Sequence, residues 1–220
     1  KPSKVETAHA GEHKLDTSSP IAIVDVRPLK SISLLAYLVK RSIPVETASQ
    51  FCMEVDFLLY NRKQTALGFQ NDARGYELRS EHFKGSSSPK AVRFFQNESN
   101  QVQVFEFFFD FLSYQMINNR AESPSNFLIL NSLVFFQKSR EIMEAHQAVH
   151  LYLDRDTSGL KITEEACKSN PKYMDKSIHY QDSKDLNDWL IKRKLIQTNS
   201  IKLDQQRNNQ THHIKRHGRF

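Results

Sequence analysis

The stretch VHLYLDRDTSG, residues 149–159, ends an apolar run on two aspartates. His150 aside, Val149, Leu151, Tyr152 and Leu153 have the character of a short buried strand, and Asp154, Asp156 and Gly159 follow it. Two carboxylates so placed repel one another and lose hydration. A divalent cation removes both objections, so metal chemistry is the first reading. Other uses of these residues fit less well. In an EF-hand loop Asp154, Asp156, Ser158, Gly159 and Glu165 would be ligand and turn positions. Such a loop must leave a helix, however, and AVHLYL is strand-like; Lys161 also stands where an apolar residue packs against a second loop. An Asp-x-Asp phosphatase would use Asp154 as nucleophile near the start of its domain, with a threonine two residues past the second aspartate. Here Thr157 follows Asp156 at once and the motif sits late. A purely structural use would have Asp156 or Thr157 cap the next helix and leave Asp154 solvated.

The surrounding pattern supplies the elements that must hold these carboxylates. After residue 100, strand-like and helix-like segments alternate. VQVFE (102–106) reads as a strand and FFFDFLSYQMINN as a helix, then FLILNS (127–132) as a strand and LVFFQKSREIMEAH as a helix. AVHLYLD is the third strand, TSGLKITEEACKSN the third helix, SIHY a fourth strand and KDLNDWLIKRKL the closing helix. A β-α-β-α-β-α order argues for an α/β fold with a mostly parallel sheet and flanking helices. Ligands of such sheets sit at the carboxyl ends of the strands. Glu106 ends the first strand and Asp154 and Asp156 follow the third, so three carboxylates converge on one edge.

Upstream the pattern changes. Residues 1–20 are nearly devoid of apolar side chains, end in Ser-Ser-Pro and read as a linker. SISLLAYLVKRSIP puts Leu34, Leu35 and Leu38 on one helical face, and VETASQFCMEV suggests a second short helix with Ala48, Phe51, Cys52 and Val55 inward. DFLLY, TALGF and GYELR are β-like pieces of an irregular antiparallel sheet. Residues 21–100 thus form a small α+β subdomain before the α/β domain at 101–192. Between residues 62 and 93, seven basic side chains (Arg62, Lys63, Arg74, Arg79, Lys84, Lys90, Arg93) face three acidic ones. The loop FKGSSSPKAV is rich in small residues and flanked by lysines, which suits phosphate binding or an ordinary hairpin tip.

Charge and cysteine usage bound the rest. The net charge of the 220 residues is +6; from Lys192 onward eight Lys/Arg against Asp204 alone give +7, leaving the remainder near −1. The basic stretch 193–220 reads as a flexible arm with affinity for polyanions. Cys52 and Cys167 are far apart and form no C-x-x-C pair, as expected of reduced thiols in a cytoplasmic protein. No run is long and apolar enough for a membrane span, and no membrane partner is expected.

Taken together, VFEFFFDFLSY, LILNS, LYLDRDTSG and KDLNDWL resemble the Toprim domain shared by DnaG-type primases, topoisomerases and some nucleases. Glu106 and Asp110 match the Glu-Gly…Asp part of its pattern, and Asp154, Asp156 and Gly159 match Asp-x-Asp-x-x-Gly. YLVKRSIPVETASQF and ALGFQNDARGYELRSEHFKGSSSPKAV, in that order, resemble a primase-like family of bacterial mobile elements. The resemblance covers roughly residues 30–192. Members often carry an amino-terminal CHC2-type zinc domain; the start at Lys1 leads us to expect a piece of a longer protein lacking it. The resemblance implies a DNA primase-type nucleotidyltransferase that makes short primers on single-stranded DNA from ribonucleotide triphosphates, with a helicase or relaxase as partner. Glu106, Asp154 and Asp156 would be catalytic and hold Mg2+ or Mn2+, with Asp110 and Asp185 alongside; Lys84, Lys90, Arg74 and Arg79 would bind nucleotide or DNA. Two departures stand out: Phe107 and Arg74 replace family glycines, and the Phe107 ring is expected to crowd the metal site. A Toprim nuclease and a non-catalytic DNA-binding module are the alternatives; a topoisomerase would need a further tyrosine-bearing domain.

Overall fold

The computed structural model describes residues 21–118 and 125–197; the linker expected at 1–20 lies outside the described residues, as does the arm expected at 193–220 except for 193–197, which are helical. Two five-stranded sheets organise the chain. The first is an antiparallel meander of β1 (Ile21–Arg27), β2 (Cys52–Leu59), β3 (Arg62–Gln70), β4 (Tyr76–Arg79) and β5 (Lys84–Ser86). Leu59 pairs with Arg62 across a two-residue turn in which Tyr60 and Asn61 both have positive φ, 48° and 63°. That is the turn whose twist matches a hairpin. Arg27 ties β1 to β2 through the buried carboxylates of Glu54 and Asp56, at 2.6 and 2.9 Å. Helix α1 (Ile32–Lys40) buries Leu34 and Leu38, as their spacing predicts. It ends where Ser42 turns left-handed (φ 58°) ahead of Pro44.

The second sheet has the order β10-β9-β7-β8-β6. Here β7 (Gln101–Phe105), β8 (Asn126–Ile129), β9 (Ala148–Tyr152) and β10 (Tyr173–Asp175) run parallel, while β6 (Arg93–Phe95) is antiparallel to β8. Helices α3 (Phe108–Ile117), α4 (Arg140–Glu144), α5 (Thr157–Ser169) and α6 (186–197) flank it. The α/β class and parallel-rich sheet expected from the sequence are present. None of the described helices is long and apolar enough to cross a membrane.

Three local expectations are overturned. SIHY is a 3-10 turn (Ser177–Tyr180), and the fourth parallel strand is Tyr173–Asp175. Tyr180 is buried because its hydroxyl donates to the Leu153 carbonyl at 2.9 Å, an anchor that a strand's alternation would not provide. The helix expected through Val55 stops at Ala48 (α2, Val45–Ala48), since Cys52 and the residues after it pair with β3. The segment 133–146 is two 3-10 turns followed by the five-residue α4. In it Phe136 and Met143 enter the core while Val134 stays outside.

Phenylalanine rings join the two sheets into one core. Phe69 of β3 stacks on Phe108 of α3 (centroids 5.2 Å, 5° between planes), and Phe95 of β6 stacks on Phe111 (5.3 Å, 15°). Leu38, Ile43 and Ala48 belong to this cluster, as do Phe105, Leu112 and Leu186. Such aromatic pairs add to the burial of their area and fix relative orientation.

Candidate active site: a carboxylate edge between two cavities

Strand register brings the acidic groups together. Phe105 pairs with Tyr152, so β7 and β9 end at the same level and the next residues leave the sheet side by side. From β7 the chain crosses to β8, whereas β9 lies on the other side of β7. This reversal of strand order is where parallel sheets open a crevice. Glu106 and Asp154 sit at its mouth, and the Asp154 N–H donates to Glu106 Oε2 at 3.2 Å.

The aspartates after β9 have separate jobs. Asp156 is exposed and caps α5: its Oδ1 accepts from the Ser158 and Gly159 N–H groups at 3.0 and 2.9 Å. The cap weighed from the sequence is therefore present, without the solvated Asp154 that went with it, and both bonds fall on one oxygen, leaving Oδ2 for other partners. Asp154, by contrast, is 4% exposed and its Oδ1 has no hydrogen-bond partner. Gly159 is dictated by this turn, because a Cβ there would lie 2.1 Å from the Asp154 carbonyl oxygen.

Two more acidic residues complete the edge. Asp110, in the first turn of α3 and 3% exposed, accepts from the Asn187 N–H at 3.1 Å. Asp185 precedes α6, and its Oδ1 accepts from the Asp188 N–H at 2.7 Å while Asp188 Oδ2 accepts from the Lys184 N–H at 3.2 Å. This reciprocal capping fixes the start of the helix. Burial, reinforced by the Asp154 charge, pushes Glu106 up to about 7. Burial and the charge of Asp185 push Asp154 up to about 6. Asp110 is raised well above the usual carboxylate range by burial and by Asp185. Lys184 is the cation nearest Asp154 (Nζ to Oδ2 3.6 Å), and that carboxylate raises its pKa.

Among the described residues, no three acidic, histidine or cysteine side chains already close on one point. The donors nevertheless fit a hard divalent cation. They are all carboxylate oxygens, one buried oxygen of Asp154 lacks any partner, and burial together with neighbouring carboxylates raises the pKa of Glu106 and Asp154, a penalty that a cation would relieve. Mg2+ is usually held by one or two carboxylates and keeps several waters, so an open edge suffices.

Two cavities flank the edge. One, of about 630 Å³, contains Asp110, Asp154, Lys184 and Asp185 together with Arg41 and Arg79. The other, of about 760 Å³, contains Glu106 and Asp156 together with Arg79, Glu77 and Lys84 of the first sheet and Lys90 of the connection that follows it. Arg79 is itself buried, donating to the Leu78 and Gly85 carbonyls at 2.9 and 3.0 Å. Burial lowers its pKa. Arg74 is elsewhere: it occupies a left-handed turn position (φ 67°) and lines neither cavity. Phe107 lines both cavities, so its ring stands between the Glu106/Asp156 side and the Asp110/Asp154/Asp185 side. Its backbone is ordinary extended chain (φ −130°, ψ 160°), and its ring lies 4.5 Å from Lys84 Nζ. Sequence reasoning passed over Lys184 and Arg41. The first was signalled by its place before Asp185 in KDLNDWL; the second, whose guanidinium covers the Phe109 ring at 4.4 Å, carried no signal.

Residues 103–190 match the Toprim-like family model, and residues 23–88 match a domain of unknown function, DUF8464. A search of curated proteins found no match. Among solved structures, the chain is similar to the primase fragment of the bacteriophage T7 primase-helicase protein. That match has 17% identity and a TM-score of 0.51, covering 74% of this chain and 73% of that one. A second similar structure is of bacteriophage T7 lagging-strand DNA polymerase interacting with primase domains of two gp4 subunits bound to an RNA/DNA hybrid and dTTP. It has 19% identity and a TM-score of 0.44, covering 60% of this chain and 72% of that one. The fold is thus of the primase-fragment type, with its carboxylate edge inside the Toprim-like segment.

Proposed function

We propose that this protein is a primase-type nucleotidyltransferase that joins ribonucleotides into short primers on single-stranded DNA. The observation that carries the reading is the juxtaposition across one cavity of Glu106 and Asp156 with Lys84, Lys90 and Arg79. Phosphoryl transfer needs positioned charge more than covalent help from the protein. Lys84 and Arg79 of the first sheet and Lys90 beyond it bind the triphosphate, with Arg79 held in place by two carbonyls and by Glu77 at 3.5 Å. Glu106, Asp154 and Asp156 would hold Mg2+ or Mn2+, with Asp110 and Asp185 behind them. When bound, the ion supplies neutralising charge to the phosphoryl oxygens. Glu106, which burial raises to about 7 in the metal-free site, would be a ligand of the ion or, in its place, the group that accepts the proton of a ribose 3′-hydroxyl. Lys184 offsets part of the rise that burial and Asp185 impose on Asp154. The upstream resemblance supports a place in the replication or transfer of a bacterial mobile element, with a helicase or relaxase as partner.

The test is primer synthesis by Asp154→Ala on a single-stranded template with labelled ribonucleotides. Synthesis should be abolished while retention of the DNA stays nearly unchanged. Retained synthesis would remove Asp154 from the mechanism, and template cleavage in place of extension would make the protein a nuclease.

A further inference from the structure

Phe107 is the residue that the proposed reaction leaves without a task. It stands directly after Glu106 at the strand end, yet its side chain belongs to none of the three buried apolar clusters and is only half-buried. Two cations hold it. Lys84 Nζ lies 4.5 Å and Arg79 Cζ 5.8 Å from the ring centroid. Arg79 and Lys84 are cross-strand partners on β4 and β5, so they grip the ring as a pair. Cation–ring attraction of this kind orients an aromatic side chain without burying it. The ring so held is a shared wall of both cavities.

The larger cavity combines features that a site for phosphate alone would not need. Beside its cations it presents an apolar side, in which Val134 is 68% exposed and Phe135 half-exposed. Its wall also includes Asn131, 6% exposed and in the left-handed conformation (φ 62°), whose Oδ1 has no donor. The Phe107 ring, the apolar Val134 and Phe135 side chains and the cations Arg79, Lys84 and Lys90 together suit a nucleoside phosphate, with a ring for the base to stack on and charge for its anionic oxygens. Its volume, about 760 Å³, is that of a small-molecule site.

We propose that Phe107 is a stacking platform for the base of the nucleoside triphosphate whose phosphates lie against Lys84, Lys90 and Arg79. The inference rests on the nucleotide-binding reading above and adds the residue that grips the base. A base on an aromatic ring is sequence-tolerant, because every base has a π-face. The platform therefore contributes affinity for any nucleotide and leaves the choice of base to the template.

Calorimetric titration of the whole chain in Mg2+ with three probes tests this: ATP, inorganic tripolyphosphate and a short oligothymidylate. The proteins are wild type, Phe107→Ala and Phe107→Trp. Phe107→Ala should weaken ATP binding roughly ten- to a hundred-fold, the loss that removal of one stacked ring produces. Phe107→Trp should keep ATP affinity, and tripolyphosphate, which has no base, should bind all three alike. Unchanged ATP affinity in Phe107→Ala, with tripolyphosphate still bound, would overturn the platform and leave the nucleotide site standing. A loss confined to oligothymidylate would also overturn it, placing a template base on the ring instead. Failure of wild type to bind either ATP or tripolyphosphate would instead refute the nucleotide site itself.

Discussion

Replacing Gly159 by alanine sets two well-understood effects against each other. Gly159 lies in the first turn of α5, where intrinsic propensity favours alanine by up to about 1 kcal/mol. By that rule the variant is the more stable protein. The geometry says the opposite. The new Cβ would meet the Asp154 carbonyl oxygen at 2.1 Å and its carbon at 3.0 Å. Ordinary contact therefore needs the helix start and the strand end to part by about 1 Å, and the rigidity of packed interiors resists that. Asp154 cannot yield freely, because its N–H is held by Glu106 at 3.2 Å and the next N–H, of Arg155, by the Lys184 carbonyl at 2.7 Å. Overpacking costs about 1–3 kcal/mol, and loosening a buried hydrogen bond to a carboxylate adds about 1.5–3 kcal/mol. After subtracting the propensity gain, the net loss is about 1.5–5 kcal/mol. For a chain of this size each kcal/mol moves Tm by about 2–4 °C, so thermal melts in chelator should show a drop on the order of 3–20 °C. A Tm equal to or above wild type would refute the close approach and with it the reason for glycine in this turn.

Two further predictions concern charge. Glu106 and Asp154 are raised above their ordinary values of 4.5 and 3.8 to about 7 and about 6, so between about pH 4 and 7 the folded chain holds protons that the unfolded chain has lost. Without metal, stability should therefore fall as pH rises through that window, by roughly 3 kcal/mol after allowance for screening; melts from pH 4.5 to 8 in chelator measure it. Glu106→Gln should flatten about half of the fall, and a stability that climbed across the window in wild type but not in this variant would contradict the assignment. Residues 198–220 carry Lys202, Arg207, Lys215, Arg216 and Arg219. Ending the chain at residue 197 should reduce the salt slope of single-strand binding by up to about 3.5, at about 0.7 per neutralised phosphate. An unchanged slope would exclude the tail from DNA binding.

The acidic edge was readable because it is written in local signals. Apolar runs that stop on a carboxylate mark strand ends, and the alternation of elements says that those ends share one side of the sheet. Glu106 and Asp154 meet as that logic requires. What the sequence concealed is what tertiary packing decides. Tyr173–Asp175 is a three-residue strand too short to show a period, while Ile178 and Tyr180 give SIHY a β-like composition that the buried tyrosine hydroxyl overrules. Asp156 shows another limit: the residue type fits both a metal ligand and a helix cap, and the fold puts at least the cap to use. The direction of Phe107 was equally hidden, since the Lys84 ammonium that attracts its ring comes from a different sheet.

The phenylalanine seam between the sheets has a bearing on how the protein could ever be divided. Phe69 rests on Phe108 and Phe95 on Phe111. A cut between residues 95 and 101, where the sequence suggests a joint, would strip β6 from its sheet and bare those rings on both products. Loss of either side would therefore expose the rings of the other to water. A nucleotide phosphate gripped by one side and a cation held by the other would each lend resistance to unfolding to the entire molecule.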